Sequence, residues 1–314
     1  MVLAKRRKIM WGLAVLAVLA AIAGLALYLA IQRNGPAVLD AVDRLTGGDR
    51  KVTLHERASI GEFARQRLAV YGPEDRRSGD LPRPVILFVH GGSWASGDPD
   101  DYGFVARALV PEGFLVVLAG YRLYPESSFP EMIEDTARAV RWTRENIARL
   151  GGDPDRIVLA GHSAGAYNVA MVALDRQWLG REGQSADELA GVIGLSGPYD
   201  FYPFTNQSAR NSFGSASRPA DTQPISFVRG DAPPLLLIHG EEDTTVKPRN
   251  SRELARRIVE ARGVASLHTF AGMDHNRPLL ALASPWRSDP QIFGLVVEFA
   301  RSSTASVPVQ GETR

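Results

Sequence analysis

A serine flanked by glycines, between an apolar strand pattern and an apolar helix pattern, is the clearest candidate for chemistry in the chain. Residues 161–165 read Gly-His-Ser-Ala-Gly, after the apolar run 156–160 and at the start of the small, apolar stretch 164–174. A serine on such a sharp strand-to-helix turn stands clear of the sheet, and the glycines leave room for neighbouring backbone. An ordinary glycine-rich turn is the alternative, but the flanking patterns favour Ser163 as a nucleophile.

A base and an acid for this serine follow it along the chain. A serine hydroxyl needs a base to take its proton and a carboxylate to orient that base, and on this kind of turn the order is serine, acid, histidine. One apolar strand pattern leads into Glu241, Glu242 and Asp243. The last strand pattern leads into the loop that holds His275. We predict Asp243 as the acid and His275 as the base, with Glu241 and Glu242 as alternatives for the acid.

A second strand-to-glycine turn lies upstream of the serine, where residues 90–94 read His-Gly-Gly-Ser-Trp. Backbone N–H groups held in such a turn can stabilise the oxyanion that forms on a substrate carbonyl. We therefore predict an oxyanion hole made by the N–H groups of Gly92, Ser93 and Ala164. A plain glycine turn is the alternative, but a position after a buried strand and before the serine favours the oxyanion role.

Substrate-binding residues are expected around the two turns and in a polar, aromatic insertion at 198–231. Tyr202 and Phe213 lie in this insertion, which we interpret as a short lid whose aromatic rings line an acyl pocket. A loop that merely packs on the domain is an equal alternative. Trp94 ends the predicted oxyanion turn and His162 directly precedes the serine, and we predict that both contact substrate. For His162 the alternative is a structural role, in which it packs or forms a hydrogen bond at the turn.

Composition excludes several other functions. The chain has no cysteine and no His-Glu-x-x-His or similar ligand spacing, so we expect no metal and no cofactor. His55, His239 and His268 fall in or beside predicted strands and are expected to be structural. Beyond residue 33 the chain carries 31 basic against 35 acidic residues, a formal charge of −4, which disfavours nucleic-acid binding. No obligate protein partner is evident.

The N-terminal segment has the pattern of a membrane anchor. A basic segment at 1–8 precedes the uncharged apolar run 9–31, whose 23 residues span about 34 Å as a helix. The positive-inside rule predicts a single-pass protein of the inner (cytoplasmic) membrane, with the remainder on the periplasmic side. A cleaved signal peptide is the alternative because residues 21–23 read Ala-Ile-Ala, but its apolar core normally ends after about 7 to 15 residues.

Alternating strand and helix patterns after this run predict a doubly wound α/β domain. We assign 32–51 as a linker with a short helix at 37–45, 52–301 as the domain and 302–314 as a disordered tail. Predicted helices occupy 132–150, 164–174 and 252–262. The predicted strands are 52–59, 66–71, 84–89, 114–119, 156–160, 189–195, 235–239 and 267–270.

Taken together, these motifs resemble the α/β-hydrolase superfamily, and within it the carboxylesterase-like enzymes around the hormone-sensitive-lipase, isoprenylcysteine-methylesterase and formamidase groups. The resemblance covers about residues 67–300. It includes the two turns, His239 and Gly240 with Asp243, and the residues Tyr121, Arg122, Leu123, Pro125, Glu126, Phe129, Pro130, Asp135 and Val246 together with 151–154. It implies an α/β-hydrolase fold with a mostly parallel sheet and a short lid.

The same resemblance implies a serine esterase that cleaves small carboxylic esters through an acyl-enzyme intermediate. The third glycine of the lipase-type turn is Ser93 here, followed by Trp94, as in the esterase and formamidase variants. An amidase or formamidase that uses the same site is therefore an alternative. A non-catalytic scaffold used for binding is a further alternative, ranked last because all three triad positions are filled.

Overall fold

A single sheet of eight strands accounts for all eight predicted strand patterns. The computed structural model describes residues 2–47, 51–75, 79–288 and 290–305. The sheet order is β1-β2-β4-β3-β5-β6-β7-β8, with β3 to β8 parallel and with β1 and β2 antiparallel to their neighbours. The strands are β1 (Val52–Ser59), β2 (Arg67–Pro73), β3 (Arg83–Val89), β4 (Leu115–Ala119), β5 (Gly152–His162), β6 (Gly191–Leu195), β7 (Leu235–Gly240) and β8 (Ala265–Phe270).

Helices cover both faces of this sheet. In the described part of the chain they are α1 (Val2–Thr46), α2 (Gly103–Leu109), α3 (Glu131–Asn146), α4 (Ala164–Leu174), α5 (Gln177–Arg181), α6 (Gln207–Phe213), α7 (Arg249–Glu260), α8 (Arg277–Leu280) and α9 (Pro290–Ser303). Helices α3, α4 and α7 contribute to the core on one face, and α2, α8 and α9 contribute to the core on the other. The predicted doubly wound, mostly parallel α/β architecture is confirmed.

Strand β3 shows why the predicted strands lack polar alternation. Val85, Leu87 and Val89 pack into the core on the α3 and α4 face. Ile86 and Phe88 point the opposite way, into the core on the α2 and α9 face. Because successive strand residues face opposite sides and both sides are covered, a continuous apolar run is required.

Several boundaries differ from the sequence predictions. Helix α3 ends at Asn146, and a 3₁₀ turn at Ile147–Leu150 completes the predicted segment before Gly151, at φ 90°, reverses the chain. Helix α7 begins at Arg249, three residues before the predicted start. Helix α9 continues to Ser303, so the first residues of the predicted disordered tail are helical. The prediction for residues 306–314 lies outside the described residues.

The N-terminal helix α1 has two parts joined by a kink. Asn34 has non-helical backbone angles (φ −155°, ψ 80°), and its side chain accepts a hydrogen bond of 3.2 Å from the Ala37 N–H, which caps the second part. The first part is long and apolar enough to cross a membrane, and its side chains from Met10 onward are exposed. We call residues 10–31 the apolar segment and residues 35–46 the docking helix.

The docking helix includes the short helix predicted at 37–45 within the linker, and it packs on the domain. Leu39 is buried in the α2 and α9 core. Asp40 and Asp43 bind the guanidinium of Arg107, with Asp40 Oδ1 2.5 Å from Nη2 and Asp43 Oδ2 2.6 Å from Nε. Asp43 is fully buried and also lies 2.9 Å from Arg287 Nη2. Because a buried carboxylate is costly unless it is paired, these contacts fix the helix on the domain.

Candidate active site

Ser163 lies on a strained turn between β5 and α4. Its backbone angles, φ 54° and ψ −118°, are unusual for a residue other than glycine. A Cβ on Gly165 would lie 2.0 Å from the Val89 carbonyl oxygen, and a Cβ on Gly161 would lie 2.4 Å from the Gly165 carbonyl carbon. Both glycines are therefore required by close packing of backbone, as the sequence predicts for a serine on a sharp strand-to-helix turn.

The structure brings Ser163, His275 and Asp243 together at the carboxyl edge of the sheet. Ser163 Oγ lies 2.9 Å from His275 Nε2, and His275 Nδ1 lies 2.7 Å from Asp243 Oδ2. His275 occupies the loop after β8, and Asp243 occupies the turn after β7. This is the hydrogen-bond order that a serine, a general base and an orienting carboxylate require.

Asp243 is held as a carboxylate by its surroundings. Its Oδ1 accepts hydrogen bonds from the Thr245 and Val246 N–H groups, at 2.9 and 2.8 Å. Burial alone raises the pKa of Asp243, but hydrogen bonds from His239, His275 and the Val246 N–H outweigh burial and lower that pKa well below its usual value. Glu241, an alternative acid in the sequence, instead pairs with Arg252. Of the three candidate acids, Asp243 is the one whose carboxylate bonds His275.

His239 is a member of this site whose contact with the acid was not predicted. Its ring is fully buried, and Nε2 donates to the Val246 carbonyl at 2.9 Å and lies 3.1 Å from Asp243 Oδ2. Its Nδ1 lies 2.7 Å from Ser251 Oγ. His239 thus ties the acid turn to the end of β7 and to helix α7. The sequence signal was its place at the strand end, four residues before the acid.

The predicted oxyanion turn passes directly against the serine. A Cβ on Gly91 would lie 3.3 Å from Ser163 Cβ, and a Cβ on Gly92, at φ 116°, would lie 2.0 Å from the Ser96 carbonyl oxygen. Ser93 also has a positive φ, 54°. Among the described residues, the N–H groups of Gly92, Ser93 and Ala164 have no hydrogen-bond acceptor. Unpaired donors beside a nucleophile are what an oxyanion hole requires.

Two cavities meet at Ser163. The aromatic cavity, about 580 Å³, is lined by Trp94, Ala164, Phe201 and Tyr202, among others. The junction cavity, about 790 Å³, is lined by His162, His275 and residues 32–36 of α1, among others. The first part of the insertion, within residues 198–209, therefore forms one wall of the aromatic cavity. No sequence signal pointed to residues 32–36, whose composition is that of a linker.

The four predicted substrate-binding residues have different positions. Trp94 and Tyr202 line the aromatic cavity. Phe213 does not: it is fully buried behind the wall, edge-to-face with Trp94 at 4.7 Å between ring centroids, so its assignment to the pocket surface is corrected. Aromatic content alone cannot separate a ring that lines a cavity from a ring that supports the wall. His162 lines the junction cavity, and its Nε2 donates to the His275 carbonyl at 3.0 Å.

Two buried histidines make stability depend on pH. Burial lowers the pKa of His90 to about 4, and burial with the neighbouring His275 lowers the pKa of His162 to about 3. Because both folded pKa values lie below the unfolded value of about 6.5, the unfolded chain binds more protons below that pH. Between pH 7 and 5 we expect each histidine to reduce the free energy of unfolding by about 1 to 2 kcal/mol.

Urea unfolding of the full chain in detergent micelles at the two pH values measures this loss. His162→Gln keeps an N–H donor for the His275 carbonyl but cannot titrate, so it should lose less stability on acidification than the wild type. An equal loss of stability in both proteins would show that His162 does not contribute to the pH dependence.

The chain is similar in sequence to known esterases and similar in fold to solved esterase structures. The chain is 33% identical over 224 residues to esterase LipQ of Mycobacterium tuberculosis, covering 65% of this chain and 52% of that protein. It is 27% identical over 236 residues to isoprenylcysteine alpha-carbonyl methylesterase ICME of Arabidopsis thaliana, covering 68% of this chain and 55% of that protein. The chain thus spans about half the length of the curated relatives it matches.

The fold is similar to the crystal structure of esterase B from Lactobacillus Rhamnosis, with a TM-score of 0.74 and 20% identity, covering 89% of this chain and 95% of that one. A sequence profile of the BD-FAE family matches residues 68–258, more than half of the chain, including the predicted oxyanion turn and Ser163. The resemblance inferred from the motifs is confirmed. The chain belongs to the BD-FAE family, a hormone-sensitive-lipase-like family of α/β-hydrolases.

Proposed function

We propose that the protein is a serine carboxylesterase that cleaves small carboxylic esters through an acyl-enzyme intermediate. The observation that carries this proposal is the continuous hydrogen-bond series from Asp243 through His275 to Ser163, beside N–H groups for which the described part of the chain provides no acceptor. The names of the relatives, esterases and methylesterases, support the same reaction class. Buried, specifically paired titratable groups at a cavity are typical of catalytic sites.

The geometry supports the following sequence of steps. Ser163 Oγ attacks the ester carbonyl carbon while His275 Nε2 takes the hydroxyl proton, and Asp243 stabilises the imidazolium. The N–H groups of Gly92, Ser93 and Ala164 bind the oxyanion. His275 then gives its proton to the leaving alcohol oxygen as the acyl-enzyme forms. A water molecule, activated by the same imidazole, attacks the acyl carbonyl, releases the carboxylic acid and restores Ser163.

Comparison of a matched ester and amide tests the reaction class. Wild-type protein is expected to hydrolyse p-nitrophenyl acetate and to leave p-nitroacetanilide, which has the same acyl group and an amine leaving group, essentially unreacted. Faster hydrolysis of p-nitroacetanilide than of p-nitrophenyl acetate would indicate an amidase. Hydrolysis of neither, by protein with a native circular dichroism spectrum, would favour the scaffold alternative.

The aromatic cavity predicts a preference for short acyl chains. Phe201 and Tyr202 occupy its wall, and a methylene gains about 0.8 kcal/mol on burial only where there is room for it. We expect kcat/KM for p-nitrophenyl esters to be highest from acetate to butyrate and to fall sharply by octanoate. Tyr202→Ala should move the optimum to longer chains; Tyr202 is 53% exposed, so the change should leave the fold intact.

Phe63→Ala is the matched control, because Phe63 is 42% exposed and lines neither cavity. An optimum at ten carbons or more in the wild type, or the same chain-length profile in Tyr202→Ala and wild type, would show that the insertion does not limit the acyl chain.

The apolar segment of α1 is proposed to anchor the domain outside the cytoplasm. The basic residues before the segment keep the N-terminus inside under the positive-inside rule. A periplasmically active reporter enzyme fused after Thr53 should therefore be active, and protease should reach the domain in spheroplasts. Protection of the domain from protease would show that the proposed orientation is wrong. Release of the domain in soluble form would favour a cleaved signal sequence.

A further inference from the structure

The junction cavity joins the candidate active site to the end of the apolar segment. Ser163 and His275 line its inner end, and residues 32–36 of α1 line its outer end. An apolar groove of about 660 Å³ continues from that outer end, between Leu27 and Ile31 on one side and Leu280 and Trp286 on the other. Cavity and groove share the wall residues Gln32, Gly35, Pro36, Asn276 and Leu279, so together they form one path.

This path lies at a defined depth relative to the proposed anchor. The apolar run ends at Ile31, and Gln32 and Arg33 are the first polar residues after it. In a spanning helix that position corresponds to the boundary between hydrocarbon and headgroups, and Leu27 lies about 6 Å deeper. Trp286, in the groove wall and 38% exposed, is the residue type enriched at such boundaries. The groove therefore opens toward hydrocarbon, and the junction cavity lies among headgroups.

The path is fixed by contacts and does not depend on a flexible tether. Asn34 Nδ2 donates to Asp101 Oδ2 at 2.8 Å, immediately below the apolar segment. The docking helix is held by the buried pairs of Asp40 and Asp43 with Arg107. The opposite wall is helix α8, which begins two residues after His275 and includes Leu279, 4% exposed. The base and the groove wall are thus parts of one short segment.

The position of His275 decides which part of an ester lies on this side of the serine. His275 must give a proton to the leaving alcohol oxygen, so the alcohol portion lies where the imidazole is exposed. His275 lines the junction cavity and is absent from the aromatic cavity, which contains Ala164 and the aromatic wall. The acyl portion therefore occupies the aromatic cavity, and the alcohol portion extends toward the groove.

We infer that the substrate is a short-chain acyl ester of a long-chain alcohol that resides in the bilayer, with the hydrocarbon tail of the alcohol in the groove between the apolar segment and α8. This inference rests on the proposed esterase function. It assigns the two cavities different tasks: the aromatic cavity limits the acyl group, and the alcohol portion crosses the junction cavity, whose lining includes Arg65 and Asp98, before its tail reaches the apolar groove.

Two lipid-like esters that carry the long chain on opposite sides of the ester bond test the assignment. The full chain is reconstituted in phosphatidylcholine vesicles that contain either hexadecyl acetate, with the tail on the alcohol, or methyl hexadecanoate, with the tail on the acyl group. We expect hexadecyl acetate to be hydrolysed about tenfold faster or more. Faster hydrolysis of methyl hexadecanoate would overturn the inference.

Two variants locate the tail. A Cβ on Gly35 meets no atom within 4 Å, so Gly35→Phe can fill the shared wall, and Leu280→Asp places a charge in the groove. Each should lower the rate on hexadecyl acetate relative to soluble p-nitrophenyl acetate by about tenfold. Gly24→Phe is the control: Gly24 lies in the same helix, has equally open surroundings and lines none of these cavities. If the ratio of the rate on hexadecyl acetate to the rate on p-nitrophenyl acetate were unchanged in both variants, the proposed path for the tail would be refuted.

The test separates this inference from the proposed function. Hydrolysis of p-nitrophenyl acetate without measurable hydrolysis of hexadecyl acetate would leave the esterase proposal standing and refute the membrane substrate. Absence of both activities in folded protein would refute the esterase proposal itself.

Discussion

Alanine in place of Ser163, His275 or Asp243 is expected to lower kcat by about 10⁴- to 10⁶-fold. The three side chains are linked by hydrogen bonds of 2.9 and 2.7 Å, so each depends on the others for its function. The double variant Ser163→Ala, His275→Ala should consequently lose little more activity than Ser163→Ala alone. Steady-state hydrolysis of p-nitrophenyl acetate, with circular dichroism to verify folding, measures these losses.

The acid position offers a sharper comparison. Asp243→Asn preserves shape but offers an amide to His275 Nδ1, so it can stabilise the wrong imidazole tautomer and should lower kcat by about 10⁴-fold. Glu241→Gln and Glu242→Gln are the matched controls, because these carboxylates are neighbours in the same turn that do not bond His275. If kcat fell about 10⁴-fold in Glu241→Gln or Glu242→Gln while Asp243→Asn stayed active, the acid assignment would be wrong.

Gly92→Ala is expected to lower kcat by about 10²- to 10³-fold, which is the usual effect of losing an oxyanion donor. At φ 116° a Cβ would lie 2.0 Å from the Ser96 carbonyl oxygen, so the turn must move and carry the N–H groups of Gly92 and Ser93 away from the serine. KM should change far less than kcat, since the oxyanion exists only in the transition state and intermediate.

Gly113→Ala separates this effect from backbone strain. Gly113 has a similar φ, 102°, but its Cβ would meet nothing within 4 Å, and it lies between α2 and β4, away from both cavities. It should lose about 1 kcal/mol of stability and retain kcat. Equal loss of kcat in Gly92→Ala and Gly113→Ala would mean that the turn at 90–94 has no specific role.

Local patterns were sufficient for the sheet and for the serine turn. The strands covered on both faces are continuous apolar runs, and Gly161 and Gly165 mark a turn that no larger residue fits. The choice among Glu241, Glu242 and Asp243 is different, because it depends on which carboxylate the turn after β7 directs toward His275. The offset of Asp243 from the strand end favoured it in the sequence, but only the backbone N–H groups of Thr245 and Val246 explain how the turn holds it.

Contacts between distant segments were beyond prediction. Phe213 is an aromatic residue of the kind that lines pockets, yet it is fully buried and packs against Trp94. Whether a ring lines the cavity or packs beneath its wall depends on the path of the whole insertion. Residues 32–36 have the composition of a linker, yet the buried pairs of Asp40 and Asp43 place them at the site. Ion pairs between positions more than 60 residues apart leave no periodic pattern in a single sequence.

Labelling with a fluorophosphonate tests the central proposal most directly, because such a probe reacts with a serine only when a base activates it. The wild-type chain should be labelled at Ser163, identified by mass spectrometry of the modified peptide, and prior reaction should abolish p-nitrophenyl acetate hydrolysis. Ser163→Ala and His275→Ala should not be labelled. Labelling at another serine, or an unlabelled wild-type chain with a native circular dichroism spectrum, would contradict the proposed esterase.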